Sequence, residues 1–317
     1  MNNQAPLNYF LHAAGPAALP VMHLGWIFAG ICSAVYIIIA ILLCIAILHP
    51  RPKGQSGDVF HAGNGLKWVY IGTGLSICVL FGMGIYMLAV LNQTATPQQT
   101  PILTLTVTGY QWWWKAEYEN DNPALRFTTA NEIHIPVGMP VVVELKSADV
   151  IHSFWVPQLA GKTQMIPGLV NRQWIEADAP GVYYGQCTEF CGVQHAHMML
   201  EIIAQSAADF QKWEHEQLES AHPSRTAKAV TGKKLFMDHC AACHTVRGIV
   251  DAGIYGPDLT HLQSRRLIAA GLLTNTPPHL SQWVAQAQEL KPGARMPDTA
   301  LTPSDTAVLM AFLATLK

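Results

Sequence analysis

The chain has 317 residues, of which 13% are charged, and it combines a formal net charge of −2 with a positive mean hydropathy of +0.20. This length exceeds one ordinary domain, and so few charges are unusual for a wholly soluble protein, which indicates a membrane portion. The chain has no basic tract, so nothing in it points to nucleic acid as a partner.

Two uncharged apolar runs, residues 26–49 and 68–91, predict a transmembrane helical hairpin. Each run exceeds the roughly 20 residues that a helix needs to cross the hydrocarbon core, and the alternative for either run is a buried core helix. The loop between the runs carries Arg51 and Lys53, whereas residues 1–25 contain no Lys or Arg. The positive-inside rule therefore places the loop in the cytoplasm and both chain ends outside.

Residues 99–206 predict a small all-β domain. Short β-type runs that are separated by Pro and Gly are typical of a sandwich or barrel. A loop between strands is well suited to carry metal ligands, because the sheet holds it while its backbone can wrap around the metal. The predicted strands are 103–107, 132–137, 140–145 and 172–176.

Residues 187–198 read Cys-Thr-Glu-Phe-Cys-Gly-Val-Gln-His-Ala-His-Met. Thiolates, a thioether and imidazole together favour copper or zinc over hard cations such as magnesium. From the two cysteines alone, a structural zinc site or a disulfide between Cys187 and Cys191 is equally acceptable. The Met198 thioether, three residues after His195, changes that balance, because a thioether is a poor zinc ligand and a common weak axial ligand of copper.

The pattern Cys-x-Glu-x-Cys-Gly-x-x-His-x-x-Met resembles the dinuclear copper (CuA) loop of cytochrome c oxidase subunit II at every ligand. The resemblance implies a Greek-key cupredoxin fold for this domain. That family takes its second histidine from an upstream strand end, and residues 147–157, Ser-Ala-Asp-Val-Ile-His-Ser-Phe-Trp-Val-Pro, resemble that place. The implied ligands are two bridging thiolates, one histidine for each copper, an axial methionine and a backbone carbonyl: Cys187, Cys191, His152, His195, Met198 and Glu189.

The resemblance implies two further roles in the β domain. Trp112, in the cluster Gln-Trp-Trp-Trp at 111–114, matches a surface tryptophan that passes electrons towards copper in the family. For Trp113 and Trp114, simple packing of the domain is at least as good an explanation. The Glu189 side chain corresponds to one that helps to bind a magnesium or manganese ion at the boundary with subunit I.

A second redox centre is predicted beyond a polar linker helix at 207–224. Cys240-Ala-Ala-Cys243-His244 is the attachment signature of a c-type haem, in which two thioether bonds fix the porphyrin beside the histidine that binds the iron. A zinc-binding or redox Cys-x-x-Cys is the alternative, and the surrounding sequence disfavours it.

Residues 225–317 resemble an all-α class I cytochrome c. Gly-Pro-Asp-Leu at 256–259 resembles the segment whose proline carbonyl orients the iron-bound histidine, and Lys-Pro-Gly-Ala-Arg-Met-Pro at 291–297 resembles the axial methionine loop. Met296 is therefore the predicted second iron ligand, and its competitor is Met310. Methionine–histidine ligation raises the haem potential, which suits an electron relay.

The whole chain resembles the subunit II of haem–copper oxidases with a fused cytochrome c. The resemblance implies a multidomain protein of the bacterial inner membrane, with residues 1–98 forming the N-terminal segment and hairpin, and with the copper and haem domains on the periplasmic side. A c-type cytochrome would reduce the haem, and electrons would pass through copper to subunit I, where oxygen reduction and proton translocation occur. Subunit III is a further expected partner, and this chain would be a non-catalytic electron-transfer subunit.

Two other functions compete with this one. The same copper centre can feed a nitric oxide or nitrous oxide reductase, and a stand-alone membrane-anchored carrier or copper-handling protein would need no catalytic partner. Quinol oxidases of the superfamily lack the copper ligands and are disfavoured.

Three positions depart from the family pattern. Gln164 and Leu169 stand where many relatives carry Asp and Arg, so contacts towards subunit I are expected to differ. Lys67 stands where many relatives have a glutamate at the mouth of a proton path. The resemblance therefore does not extend to proton entry by that route.

Overall fold

A computed structural model of the chain describes residues 11–50, 65–251, 253 and 255–317. Two compact units are present, one formed by residues 19–96 and the other by residues 97–317 together with the segment before residue 19. The first unit is a pair of long helices, and the second contains a β-sandwich and a helical domain. The predicted combination of hairpin, cupredoxin-like sandwich and cytochrome-like domain is confirmed.

The helices α1 (Leu19–Leu48) and α2 (Gly65–Ala95) are long and apolar enough to cross a membrane. In these two helices, Val90 is the single buried residue among those described. A core helix of a soluble protein would be covered by other protein, so the exposed apolar side chains suit contact with lipid.

Both helices start before the apolar runs 26–49 and 68–91 that the sequence predicts, and α2 also ends later. Hydropathy marks the part of a helix that suits hydrocarbon, whereas backbone hydrogen bonding continues into the flanking polar residues. The predicted cytoplasmic loop lies mostly outside the described residues, because 51–64 include both Arg51 and Lys53.

The β-sandwich is built from ten strands. They are β1 (Leu103–Tyr110), β2 (Trp113–Tyr118), β3 (Phe127–Ala130), β4 (Glu132–Pro136), β5 (Val141–Ser147), β6 (His152–Trp155), β7 (Thr163–Met165), β8 (Asn171–Ile175), β9 (Gly181–Cys187) and β10 (Met199–Gln205).

Two five-stranded sheets face each other, with strand orders β3-β2-β1-β5-β8 and β4-β10-β9-β6-β7. The pairs β1–β5 and β4–β10 are parallel and the others antiparallel, so strands distant in sequence lie side by side. Alternate residues of β5 are buried, as the two-residue period of a strand requires. Between the sheets, the fully buried ring of Trp114 packs edge-on against Phe154, with ring centroids 5.9 Å apart.

The segment 11–18 packs on the sandwich. The Ala14 amide donates to the Gln158 carbonyl at 2.8 Å, and the Asp178 amide donates to the Ala14 carbonyl at 2.9 Å. A Cβ on Gly15 would lie only 1.9 Å from the Glu176 carbonyl oxygen, so the close approach requires glycine. These contacts make the segment part of the sandwich unit.

The helical domain follows a linker helix. The linker helix is α3 (Ala207–Leu218), whose Phe210 and Trp213 pack on the sandwich core. The elements of the helical domain are α4 (Ala227–His239), the short hairpin β11 (Leu267–Ile268) and β12 (Leu273–Thr274), α5 (Pro277–Ala285), α6 (Ala287–Leu290) and α7 (Pro303–Leu313). The hairpin is a small departure from the predicted all-α fold.

Helices α4 and α7 cross closely at Gly232. A Cβ there would lie 2.2 Å from the Val308 carbonyl oxygen and 2.8 Å from Phe312 Cβ. Next to this crossing, Phe236 packs on Phe312 with ring centroids 5.3 Å apart. The missing side chain of Gly232 therefore lets the two helices that form the domain core approach each other.

Replacing Gly232 with alanine should destabilise the helical domain by about 1–3 kcal/mol, the usual effect of overpacking, because the new methyl group meets backbone. The measurement is the thermal midpoint of the haem absorption band in the purified chain. Lys233→Ala, at the exposed neighbouring position, is the control. Equal midpoints for the two variants would contradict this description of the crossing.

Candidate metal centres

Strand pairing brings the two halves of the predicted copper site together. His152 is the first residue of β6 and Cys187 the last residue of β9. These strands are hydrogen-bonded neighbours, with Phe154 opposite Cys187. The loop from β9 to β10 then carries Cys191, His195 and Met198 back over the strand ends.

The two sulfur atoms of Cys187 and Cys191 lie 3.7 Å apart. A disulfide needs about 2 Å, so these residues are two separate thiols, as both are free. Each sulfur has its own imidazole: Cys187 Sγ lies 3.8 Å from His152 Nδ1, and Cys191 Sγ lies 3.6 Å from His195 Nδ1.

Two weaker donors complete the cluster. The Glu189 carbonyl oxygen lies 3.2 Å from Cys187 Sγ, and Met198 Sδ lies 3.9 Å from Cys191 Sγ. A structural zinc ion takes four donors in one tetrahedron, which would leave part of this set unused. Two central thiols, each with one imidazole and one weak donor, instead fit two soft metal ions that share the sulfurs.

Water has little access to these donors. His152 and Met198 are fully buried, and each cysteine is 3% exposed. Hydrogen bonding with Cys191 lowers the pKa of Cys187 to about 3 despite its burial, and the same interaction raises the pKa of Cys191. Metal binding needs both cysteines as thiolates, so affinity should fall in acid.

Asp149 orients His152, a role that the sequence did not predict. Its Oδ1 lies 2.8 Å from His152 Nε2, and its other carboxylate oxygen accepts the Gln111 amide at 2.8 Å. Burial acts to lower the pKa of His152, but the hydrogen bonds to Asp149 and Cys187 outweigh it and raise the pKa. With Nε2–H committed to the carboxylate, Nδ1 is left to face the sulfur.

Gly109 makes room for the same imidazole. A Cβ at this position would lie 2.9 Å from His152 Cδ2 and 3.1 Å from its Cγ. Any larger residue would push the ring away from Cys187.

Trp112 is enclosed between the copper loop and the helical domain. Its Nε1 donates to the Cys191 carbonyl at 2.9 Å, and Gln111 Nε2 donates to the same oxygen at 2.7 Å. On the other side, a Cβ on Gly293, in the predicted axial methionine loop, would lie 3.4 Å from the ring. The ring is only 8% exposed, so the expectation of a surface tryptophan is wrong for this chain.

The neighbouring tryptophans serve packing. Trp114 is fully buried in the sandwich core. Trp113 stacks on Tyr110 with ring centroids 4.7 Å apart.

The predicted haem attachment sequence begins where α4 ends. Cys240 caps the helix, and the amides of Cys243 and His244 both donate to its carbonyl, at 3.0 and 2.9 Å. His244 Nδ1 lies 2.8 Å from the Pro257 carbonyl, the partner that the sequence predicts. Burial lowers the pKa of His244, so the ring is neutral, donates through Nδ1 and presents an Nε2 lone pair suited to iron.

Gly256 makes room for the imidazole of His244, as Gly109 does for that of His152. A Cβ on Gly256 would lie 2.5 Å from His244 Cε1, so the loop that supplies the Pro257 carbonyl can approach the imidazole only without a side chain. The turn of Cys240 to His244 and the residues that hold its imidazole therefore suit a covalently attached haem.

Met296 is half-buried and packs against the core of the helical domain, as Met310 on α7 also does. Gln288 holds the loop of Met296, because its Nε2 donates to the carbonyls of Ala294 and Met296, each at 2.6 Å. The axial role of Met296 stays a prediction.

The backbone carbonyl of Glu189 contacts Cys187 in the predicted copper cluster, whereas its side chain contacts Gln164. One of its carboxylate oxygens accepts a hydrogen bond from Gln164 Nε2 at 3.2 Å. Gln164 is one of the departures from the family pattern, so the immediate surroundings of this carboxylate differ from those in many relatives.

Two known families match this chain. Residues 124–206 match the family described as cytochrome C oxidase subunit II, periplasmic domain, and residues 229–317 match the cytochrome c family. The first match falls on the sandwich and the second on the helical domain. A periplasmic family together with two apolar helices indicates a membrane-anchored protein with an external domain.

Two relatives of this chain are named as subunit 2 of cytochrome c oxidase. "Cytochrome c oxidase subunit 2" of Alkalihalophilus pseudofirmus is 40% identical over 216 residues, or 67% of this chain, which spans 61% of that relative's length. "Probable cytochrome c oxidase subunit 2" of Rickettsia conorii is 30% identical over 241 residues, or 69% of this chain and 73% of that relative. Among solved structures, the periplasmic domain of subunit II of cytochrome oxidase of Bradyrhizobium japonicum is 31% identical and covers 38% of this chain and 95% of its own, with a TM-score of 0.35.

Asp149→Ala should weaken metal binding at the cysteine pair by about 10–100-fold, because His152 loses the partner that fixes its ring. Copper titration of the purified chain, followed by absorption, measures this affinity. Asp121→Ala, in an exposed loop, is the matched control. Unchanged affinity in Asp149→Ala would show that the carboxylate does not position the imidazole.

Proposed function

Because the chain belongs to the cytochrome c oxidase subunit II family, we propose that it is the electron-transfer subunit of a terminal haem–copper oxidase. Electrons pass from a c-type cytochrome through the haem c of this chain to its dinuclear copper centre and on to subunit I. Oxygen is reduced to water there, and protons are translocated. This chain carries electrons and performs no bond chemistry of its own.

One observation carries the proposal: the ring of Trp112 lies between the two candidate centres. It donates a hydrogen bond to the Cys191 carbonyl on one side and lies against Gly293 on the other. A ring that is 8% exposed offers almost no surface to an external protein. Trp112 therefore acts as an internal relay, and the external donor meets the cytochrome domain instead.

The copper centre is assigned to the buried donor cluster. A set of protein donors that fills the coordination positions leaves no open place for a substrate, which suits electron transfer. The ligands are His152, Cys187, Glu189 through its carbonyl, Cys191, His195 and Met198.

The haem is assigned to the helical domain. Cys240 and Cys243 form its two thioether bonds, and His244 and Met296 bind the iron. Methionine–histidine ligation raises the potential of the haem, as a relay between a c-type cytochrome and copper requires.

The chain lies in the bacterial inner membrane with its copper and haem domains in the periplasm. Support comes from the segments that flank the helix pair, because residues 11–18 and residues after 96 belong to one folded unit. Two crossings return the chain to the side on which it started. Both ends of the chain are therefore on the periplasmic side.

The partners are subunit I and subunit III of the oxidase. The half-buried Glu189 carboxylate contributes to a magnesium or manganese site at the boundary with subunit I. Its position beside the copper loop supports this role, because its backbone carbonyl and its side chain face different neighbours.

Glu189→Gln should lower the magnesium or manganese content of the purified complex and leave its copper content unchanged, because the carbonyl donor is retained. Metal analysis measures both contents. Glu119→Gln, at an exposed position, is the control. Unchanged magnesium and manganese in Glu189→Gln would remove Glu189 from that site.

The rival functions differ in what accompanies the chain. Detergent purification followed by an absorption spectrum and metal analysis tests the proposal. A co-purifying polytopic subunit with a-type haem is the expected result. A partner typical of a nitric oxide reductase, or a lone chain of 34.7 kDa, would contradict the proposal.

Two variants test the site assignments and control for each other. Cys191→Ser should abolish the mixed-valence copper spectrum and leave the haem band intact. Met296→Ala should lower the haem potential, without releasing the covalently bound haem, and leave the copper spectrum intact. Copper absorption that survived Cys191→Ser, or an unchanged haem potential in Met296→Ala, would show that the corresponding ligand is wrong.

A further inference from the structure

A lysine of the haem domain is buried in the copper domain. Lys291 follows α6 and is 3% exposed. Its Nζ donates to three backbone carbonyls: Trp112 at 2.8 Å, His197 at 2.7 Å and Ala269 at 2.9 Å. An ammonium group has three N–H donors and no acceptor, so these three carbonyls satisfy it completely.

Two of the three acceptors belong to the copper domain. The Trp112 carbonyl lies in the turn from β1 to β2, next to the indole that contacts Cys191. The His197 carbonyl belongs to the peptide bond that leads into Met198, an assigned copper ligand. One ammonium group therefore joins the relay tryptophan, the copper loop and the haem domain.

The residues after Lys291 continue along the contact between the haem domain and the copper domain, which we call the seam. Gln194 in the copper loop donates through Nε2 to the Pro292 carbonyl at 2.9 Å. Gly293 follows against the Trp112 ring, and Arg295 lies 3.7 Å from Asp149, the carboxylate that orients His152. The loop that ends in Met296 thus lies directly on the copper domain.

The hydrogen bonds of Lys291 stabilise this contact more than the ion pair of Arg295 does. Arg295 is 58% exposed, and an exposed ion pair contributes little to stability. Lys291 is itself 3% exposed, and without its Nζ the Trp112 carbonyl, whose hydrogen bond is buried, and the part-buried His197 carbonyl would lose this partner. The position of the haem loop on the copper domain therefore depends on this side chain together with the contact between Gln194 and Pro292.

We propose that Lys291 is a positioning residue that sets the separation between the haem and the dinuclear copper centre. The inference rests on the proposed function. In the step concerned, the haem held by this chain would lose one electron and the copper pair would gain it, and no covalent bond would form or break. Because electron tunnelling weakens exponentially with distance, a loosened seam slows this step without changing either redox potential.

The test replaces Lys291 with methionine in the full-length chain, purified in its detergent-solubilised complex. Methionine keeps most of the length of the side chain but removes the donors. The rate of copper reduction after rapid reduction of the haem should fall about tenfold or more, as small misplacements of reacting groups can cause. The haem band, the copper spectrum, both potentials and the rate of haem reduction by the donor should stay unchanged.

Lys234→Met is the matched control, because Lys234 is exposed on α4 of the same domain. It should transfer electrons at the wild-type rate. Steady-state turnover gives a second readout: Lys291→Met should lower kcat and leave KM for the donor unchanged. A purely stabilising role would lower the thermal midpoint but not the transfer rate in folded, fully loaded molecules.

Wild-type transfer in Lys291→Met with both spectra intact would overturn the inference. If that variant loses either spectrum, Lys291→Gln, which is shorter and keeps only two of the three donor hydrogens, is measured instead: slower transfer is expected, and the wild-type rate would overturn the inference. If the proposed function were wrong, the wild-type complex itself would show no copper reduction after rapid reduction of its haem. That result differs from one in which only Lys291→Met is informative.

Discussion

The separation of the two buried cysteine sulfurs, 3.7 Å, is the constraint on which the rest of the copper domain depends. At this distance they are two separate thiols, yet both can contact the same pair of metal ions. Strand β9 delivers Cys187, and its pairing with β6 places His152 beside that sulfur. The loop of Cys191 then brings His195 and Met198 to within 3.6 and 3.9 Å of the Cys191 sulfur.

The haem domain modifies this arrangement by covering the indole next to it. In a chain without that domain, a tryptophan in this place could face a soluble donor. Here Gly293 lies over the ring. Lys291 donates hydrogen bonds to backbone carbonyls of both domains. In the proposed function, electrons therefore enter at the haem domain and not at the copper domain, because this indole is covered.

Local patterns predicted the features that local sequence determines. The predicted copper loop holds most of its candidate ligands within a few residues, so its pattern was readable from the local sequence. Six strands, β2, β3, β6, β7, β9 and β10, were not among the predicted runs. In β2 tryptophans with charged residues hide the hydrophobic pattern, and in β9 glycines do. Asp149 could have been noticed as an acid three residues before His152.

Other residues gain their roles only through distant contacts. Gly109 is required because a later strand places an imidazole against it, and Lys291 meets a carbonyl 179 positions away in the chain. No single-sequence pattern carries such information. The resemblance to a family nominated the ligands, but it also suggested a surface tryptophan that this chain buries.

The central claim is that electrons enter through the haem and reach the copper afterwards. Stopped-flow mixing of the oxidised complex with a reduced c-type cytochrome, followed at the haem and copper absorption bands, tests this order directly. The account predicts that the haem band changes first and that the copper band follows with a lag as the haem reoxidises. Copper reduction that preceded haem reduction, or that proceeded at the same rate while the haem stayed oxidised, would contradict the account.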